Sequence, residues 1–202
     1  MATQLDFAPA AERNKGPILT RLQPLLRAHN DVLEIGAGTG QHAVFFAAQM
    51  PWLRWLPTER EAQLPGLRAR ISAEGPPNCL APLALDVDRL PWPLQEADVV
   101  YTANTLHIMA WDSVVALFTG LARLARGPEL LCIYGPFKYA GEYTTPSNAA
   151  FDAALRAQDP ASGLRDFEAV DRLAAGLGLA LLADHPMPAN NQLLVWGRPG
   201  GS

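Results

Sequence analysis

Val32-Leu33-Glu34-Ile35-Gly36-Ala37-Gly38-Thr39-Gly40 is the stretch on which the fold turns. From Asp31 to Ile35 it reads as a short buried strand, and three glycines at alternate positions end it. Gln41 to Met50 then reads as a helix, with Ala43, Phe45, Phe46 and Ala47 on its inner side and Pro51 as its stop. Glycine in a strand-to-helix turn lets the backbone approach a ligand closely and takes positive φ without steric penalty. The helix start beyond it offers unpaired N–H groups and a partial positive charge, suited to a carboxylate or phosphate. The spacing is G-x-G-x-G, not the G-x-G-x-x-G of dinucleotide sites. Glu34, two residues before the first glycine, would repel a pyrophosphate and suits a cationic ligand.

Outward from this turn the chain alternates strand and helix. Further strands are expected at Leu53–Leu56, Ala81–Leu85, Val99–Ala103, Leu130–Tyr134, Leu179–Ala183 and Gln192–Trp196, a polar and helical stretch over Thr58–Ala73, and further helices near Pro17–Ala28, Trp111–Leu124, Ala149–Gln158 and Phe167–Leu177. Such alternation means an α/β fold, a mostly parallel sheet with helices on both faces. The last two strands, joined by a short proline-containing loop, close the seven-stranded sheet as an antiparallel hairpin. Residues 1–16 read as an irregular lead-in. Residues 135–166, rich in glycine and proline, break the alternation and read as a lid or substrate wall.

Length and composition narrow the class. At 202 residues, 49 % hydrophobic and 18 % charged, the chain has the size and make-up of one globular domain spanning 1–202. A formal net charge of -4 gives no electrostatic reason to expect nucleic acid or an anionic membrane as partner. Cys79 and Cys132 lack a C-x-x-C spacing, so no metal site is expected and both read as reduced thiols. No secretory h-region and no run of about 20 apolar residues is present, so a cytoplasmic location is expected. The oligomeric state is left open.

Strand ends supply further candidates. Glu59 lies 23 residues after Gly36, near the distance at which doubly wound folds place a ribose-binding carboxylate; Glu61 is its rival. Asn104 and His107 follow the fourth strand, and ligands bind outside the carboxyl ends of strands in such sheets. The nine residues from Val32 to Gly40 resemble motif I of class I S-adenosylmethionine-dependent methyltransferases. The resemblance implies a Rossmann-like fold and S-adenosylmethionine as cofactor, with Glu34, Gly36, Gly38 and Gly40 facing its methionine half. It also implies that Asp86 accepts the adenine amino group, that the Val87 N–H meets a ring nitrogen, and that Leu106 packs on the adenine.

A wider set of phrases points the same way: Ala11-Glu12-Arg13-Asn14 with Pro17-Ile18, Gly38-Thr39-Gly40-Gln41-His42, His107-Ile108 with Trp111, and Tyr134-Gly135-Pro136-Phe137. It continues with Ser147-Asn148 and Phe151-Asp152, Gly163-Leu164-Arg165-Asp166, and Met187-Pro188-Ala189-Asn190-Asn191. From about Ala8 to Trp196 the chain resembles the family of methyltransferase-like proteins that includes methyltransferase-like protein 26. Many members read A-S-G-T-G where this chain has Gly36-Ala37-Gly38-Thr39-Gly40, and an Asp where it has Glu59.

Methyl transfer to a hydroxyl or ammonium needs alignment of acceptor and methyl, and a base. His107, with an ordinary pKa near 6.5, is the expected base, with Asn104 and Tyr134 beside it at strand ends. His42 is expected to cap its helix or contact the cofactor. Phe137 and Tyr143 are candidate walls of the acceptor pocket, and Arg13 and Asn14 are candidates to fold over the ligand. Arg165 suits bidentate capture of an acceptor carboxylate, or equally a structural clamp on Asp152 or Asp166. The leading expectation is methylation of a small-molecule substrate. The alternative is a non-catalytic cofactor-binding or protein-interaction module of the same fold. Glycine spacing and Glu34 count against a nicotinamide-dependent oxidoreductase.

Overall fold

A computed structural model describes residues 5–200. Along the chain the elements are α1 (Pro9–Leu25), β1 (Asp31–Ile35), α2 (Gln41–Gln49), β2 (Arg54–Glu59), α3 (Leu64–Glu74), β3 (Leu83–Ala84), β4 (Val99–Ala103), α4 (Trp111–Ala122) and β5 (Leu130–Gly135). They continue with β6 (Phe137–Tyr139), β7 (Glu142–Tyr143), α5 (Pro146–Gln158), β8 (Arg165–Asp166), α6 (Phe167–Gly176), β9 (Ala180–Met187) and β10 (Asn191–Gly197). Seven strands form one sheet in the order β3-β2-β1-β4-β5-β10-β9. β1 is parallel to β2 and β4, and β2 to β3, while β10 runs antiparallel to both β5 and β9. This is the mostly parallel α/β sheet with a terminal antiparallel hairpin that the sequence predicts.

Two compact units are distinguishable: residues up to 86 with 97–101, and residues 87–96 with those from 102 onward. In the first, Val32, Leu33 and Ile35 of β1 and Trp55 of β2 are buried, on both faces of the sheet. Phe46 of α2 packs its ring 5.5 Å from Trp55 and 5.6 Å from Tyr101. Each such aromatic contributes about 1.5–3 kcal/mol through the apolar area it removes from water. In the second, every residue of β5 is buried, as are Leu193 to Gly197 of β10. Strands covered on both faces read as continuous apolar runs rather than alternating ones, which is why Leu130-Leu131-Cys132-Ile133 is legible as a strand.

Several boundaries differ from expectation. α1 starts at Pro9, not Pro17, so residues 9–16 of the expected irregular lead-in are helical, and its first four residues lie outside the described residues. Pro9 sits in the first turn, where its missing N–H leaves nothing unsatisfied, whereas Pro17 and Pro24 lie inside the helix. An internal proline costs about 3 kcal/mol. Burial of Ile18 and Leu22 offsets it, and so do tethers from this region to α2: the Ala8 N–H to Gln41 Oε1 (2.6 Å), and Gln41 Nε2 to Glu12 (3.1 Å). β3 keeps only two of its five expected residues. β2 runs on to Glu59, which places that residue on the strand itself. Residues 135–166 hold a longer α5, capped by Thr145 Oγ1 accepting from the Asn148 N–H (3.2 Å), and a small sheet β7-β6-β8 that local patterning does not reveal.

Candidate functional site

The glycine turn of the first unit is built by backbone geometry that only glycine takes at low cost. Gly36, Gly38 and Gly40 have φ of 72°, 53° and 77°, left-handed values that cost other residues about 1–2 kcal/mol. The Ala37 N–H donates to Thr58 O and the Gly40 N–H to Ala37 O, both at 2.9 Å. The Gly38 N–H donates to Glu59 Oε2 at 3.0 Å, and Glu59 Oε1 accepts the Arg60 N–H at 2.8 Å. A side chain on Gly38 would meet nothing within 4 Å, so open space lies in front of the turn; one on Gly40 would strike Leu67 at 2.7 Å. Arg70, buried on α3, holds the turn from behind by donating from Nε to Thr39 O at 2.6 Å and from Nη2 to Asp6 O at 2.5 Å.

Glu34 lies under this turn and is 2 % exposed. Its carboxylate accepts a 2.7 Å bond from Trp55 Nε1. Burial pushes its pKa up to about 7, the charge of Glu59 adds to the rise, and the indole bond opposes it. His42, the second residue of α2, bridges Asn14 and Tyr101. Asn14 Oδ1 lies 2.7 Å from Nε2, and the Tyr101 hydroxyl 3.2 Å from Nδ1. An amide oxygen can only accept, so Nε2 carries the proton and Nδ1 accepts from the tyrosine. Burial lowers the His42 pKa to about 4, so the ring is neutral. Asp86 is half-buried two residues past β3. A separate cleft of about 440 Å³ in this unit, walled by Phe7, Val44 and Phe45, is lined by none of the residues expected to hold the donor.

In the second unit, Asn104 just beyond β4 takes φ 57°, and its N–H donates to Tyr134 O at 2.9 Å. A non-glycine residue held left-handed at a strand end is a frequent mark of a functional turn. His107 is 6 % exposed and its ring meets Phe151 edge-on at 5.5 Å. Desolvation, with the charge of Arg165 adding to it, lowers its pKa to about 4, so His107 is a weaker base than its ordinary value suggests. Arg165 makes no hydrogen bond or ion pair with Asp152 or Asp166 among the described residues. It donates to three carbonyls: Leu106 O at 2.9 Å, Ala161 O at 3.1 Å, and Met109 O. Asp152 instead accepts from Tyr143 (2.8 Å), Arg156 (2.8 Å) and the Leu164 N–H (2.6 Å).

The structure thus brings Glu34, the three glycines and Glu59 together at the ends of β1 and β2, and ties Asn14 to His42. It also ties Asn104, just beyond β4, to the backbone of Tyr134 within β5, and sets His107 against Gly135, the last residue of β5. Val87, Leu106, Tyr134 and Phe137 are buried, Tyr143 is turned to Asp152, and Arg13 is exposed. Trp55, Tyr101 and Arg70 are supporting residues that sequence reasoning passes over. Each reads locally as an ordinary strand aromatic or helix cation, and only tertiary contact gives it a role.

A glycine turn after the first strand, an acid at the end of the second and an antiparallel last strand define the Rossmann-like methyltransferase fold. The mitomycin 7-O-methyltransferase MmcR superposes with a TM-score of 0.73 at 20 % identity, over 86 % of this chain and 50 % of the other. The S-adenosylmethionine-dependent methyltransferase SibL gives 0.76 at 20 % identity, over 94 % and 55 %. An O-methyltransferase family 2 protein from Planctomyces limnophilus DSM 3776, in complex with apigenin, gives 0.71 at 19 % identity, over 83 % and 50 %. The chain spans about half the length of these structures. It belongs to the family described as "Protein of unknown function (DUF938)", whose model matches residues 5–198. Among the described residues no helix is long and apolar enough to cross a membrane, and no group of three or more His, Cys, Asp or Glu is placed to hold a metal ion.

Proposed function

We propose that the chain is an S-adenosylmethionine-dependent methyltransferase acting on a small-molecule acceptor. The observation that carries this is the turn itself: three left-handed glycines with open space before Gly38, flanked by the carboxylates of Glu34 and Glu59. These groups fit a cationic, ribose-bearing ligand. Backbone can approach it closely, the two acids complement its charge, and Glu59, with two acceptor positions used by N–H groups, retains lone pairs for ribose hydroxyls. Asp86 is the proposed acceptor for the adenine amino group. When bound, S-adenosylmethionine supplies a methyl carbon on a sulfonium, whose transfer leaves a neutral thioether and releases the acceptor's proton. In the second unit Asn104 and Tyr134 shape the strand ends, and His107 orients the acceptor through a neutral imidazole. Membership of the methyltransferase-like protein 26 group and a cytoplasmic location belong to the same reading.

The low pKa of His107 favours a second reading, a cofactor-binding or protein-interaction module without catalysis, because a base near 4 takes a proton poorly at neutral pH. Calorimetric titration separates the possibilities. S-adenosylmethionine should bind with Kd below about 1 mM, a free energy beyond about -4 kcal/mol. Gly38→Arg, which fills the open space with a cation, should weaken it at least about 100-fold while leaving the chain folded. No binding by the parent chain, or equal binding by the variant, contradicts the proposal. Binding without transfer of a labelled methyl group to any fraction of a cell extract supports the module.

A further inference from the structure

Arg165 is 8 % exposed, yet among the described residues no carboxylate pairs with it. Buried cations are ordinarily paired, because an unpaired charge in a low-dielectric setting forfeits most of its hydration. The three carbonyls satisfy donors on Nε and Nη2 and leave Nη1 without a partner among the described residues. The two acids expected to clamp the guanidinium have other direct partners. Asp152 is filled by Tyr143, Arg156 and the Leu164 N–H, and Asp166 by Lys138 (3.4 Å) and the Gly141 N–H (3.1 Å). Among the described residues the Arg165 guanidinium therefore has no carboxylate in direct contact, although the charge of Asp152 acts on it from a distance.

That charge is close to the expected acceptor residue. Arg165 Nε bonds the carbonyl of Leu106, next to His107, and the Gly163 N–H bonds His107 O at 2.9 Å. His107 is itself buried, and neither of its ring nitrogens has a hydrogen-bond partner among the described residues. The one polar side-chain atom both sealed from solvent and unpaired among those residues is Trp92 Nε1, so the unpaired nitrogens of His107 and Arg165 keep some access to solvent. Beside them stand two large apolar side chains in water, Ile108 at 59 % and Phe151 at 42 % exposure. Apolar walls around a few convergent polar groups are the ordinary make-up of a small-molecule site.

We infer that the acceptor is an anionic hydroxyl compound with an apolar body: its carboxylate pairs with Arg165, its hydroxyl meets His107, and its body lies against Ile108 and Phe151. This rests on the methyltransferase reading for the fate of the hydroxyl, but not for the binding itself. A guanidinium whose donors are partly occupied by carbonyls still attracts an anion, more strongly than in water because the surroundings screen it less.

Three probes sharing one naphthalene ring system and one hydroxyl test the charge preference without any donor present: 6-hydroxy-2-naphthoate, 2-naphthol and 6-aminomethyl-2-naphthol, followed by saturation-transfer NMR and calorimetry. The naphthoate should bind at least about tenfold tighter than 2-naphthol, a difference of about 1.4 kcal/mol, and the aminomethyl compound most weakly. Ile108→Glu adds a negative charge at an exposed position that should not disturb folding. It should erase the naphthoate's advantage, as should raising the salt concentration. Equal or weaker binding of the naphthoate, failure of all three probes to bind, or an advantage that survives Ile108→Glu overturns the inference. Donor titration is scored separately, so a chain that binds naphthoate but not S-adenosylmethionine sinks the methyltransferase reading and leaves the anion site standing.

Discussion

Glu34→Gln should make the ligand-free protein more stable and its donor binding weaker. Glu34 is an acid whose folded pKa, about 7, stands above its ordinary 4.5. Between those values the folded chain holds a proton that the unfolded chain has released. Stability therefore falls as pH rises from about 4.5 to about 7, and the loss, roughly 3 kcal/mol at its fullest, persists above pH 7. Glutamine keeps an oxygen for the Trp55 indole and removes the charge. Urea unfolding at pH 8 should then show a variant more stable than the parent by about 1–3 kcal/mol, with the difference shrinking towards pH 4.5. The same substitution removes a negative charge from beneath the glycine turn, so S-adenosylmethionine should bind about tenfold more weakly at pH 8, equivalent to about 1.4 kcal/mol. The parent's affinity should rise as pH passes 7 more steeply than the variant's, the ligand's own titration being common to both. A variant less stable than the parent at pH 8, or one that binds the donor equally well, refutes this account of Glu34.

Arg165→Met should unfold the His107 loop before anything else. The guanidinium satisfies the carbonyls of Leu106, Met109 and Ala161. Methionine fills much of the volume but leaves those acceptors without donors, at about 1–3 kcal/mol for each that stays buried and unpaired. A loss of roughly 3–4 kcal/mol is expected, less whatever water recovers by entering. Hydrogen exchange should rise first at the Gly163 N–H, which bonds His107 O, and at the Ile108 and Met109 N–H groups, which both bond Thr105 O. Unchanged exchange there with the same global loss would mean that Arg165 acts on the core rather than on the loop.

The parts of the molecule legible in the sequence are those with a local cause. Glycines at alternate positions after an apolar strand report a left-handed turn because few other residues take that conformation cheaply. β5 is visible because burial on both faces leaves a continuous apolar run. Glu59 is singled out by its distance from Gly36, and the structure sets its carboxylate on the Gly38 N–H. The start of α1 escapes notice because Pro17 carries a start signal as strong as that of Pro9, and what decides between them is contact with Gln41 and His42, far along the chain. The small β7-β6-β8 sheet escapes for the same reason: strands of two or three residues owe their existence to partners rather than to pattern. Residue roles at the site divide along the same line. Arg165 suggests a carboxylate ligand or an ion-pair clamp from sequence, and which acids near it are already occupied is a tertiary fact. The basicity of His107 is likewise set by burial and by a neighbour 58 positions away, neither of which spacing reveals.

Diffraction from crystals grown with S-adenosylhomocysteine reports on the core of this account without any assumption about the acceptor. The ribose hydroxyls should lie within hydrogen-bond distance of Glu59, and the homocysteine portion should cross the face of Gly38. Density for the ligand elsewhere, as in the cleft walled by Phe7 and Phe45, with the glycine turn still bare, would contradict it.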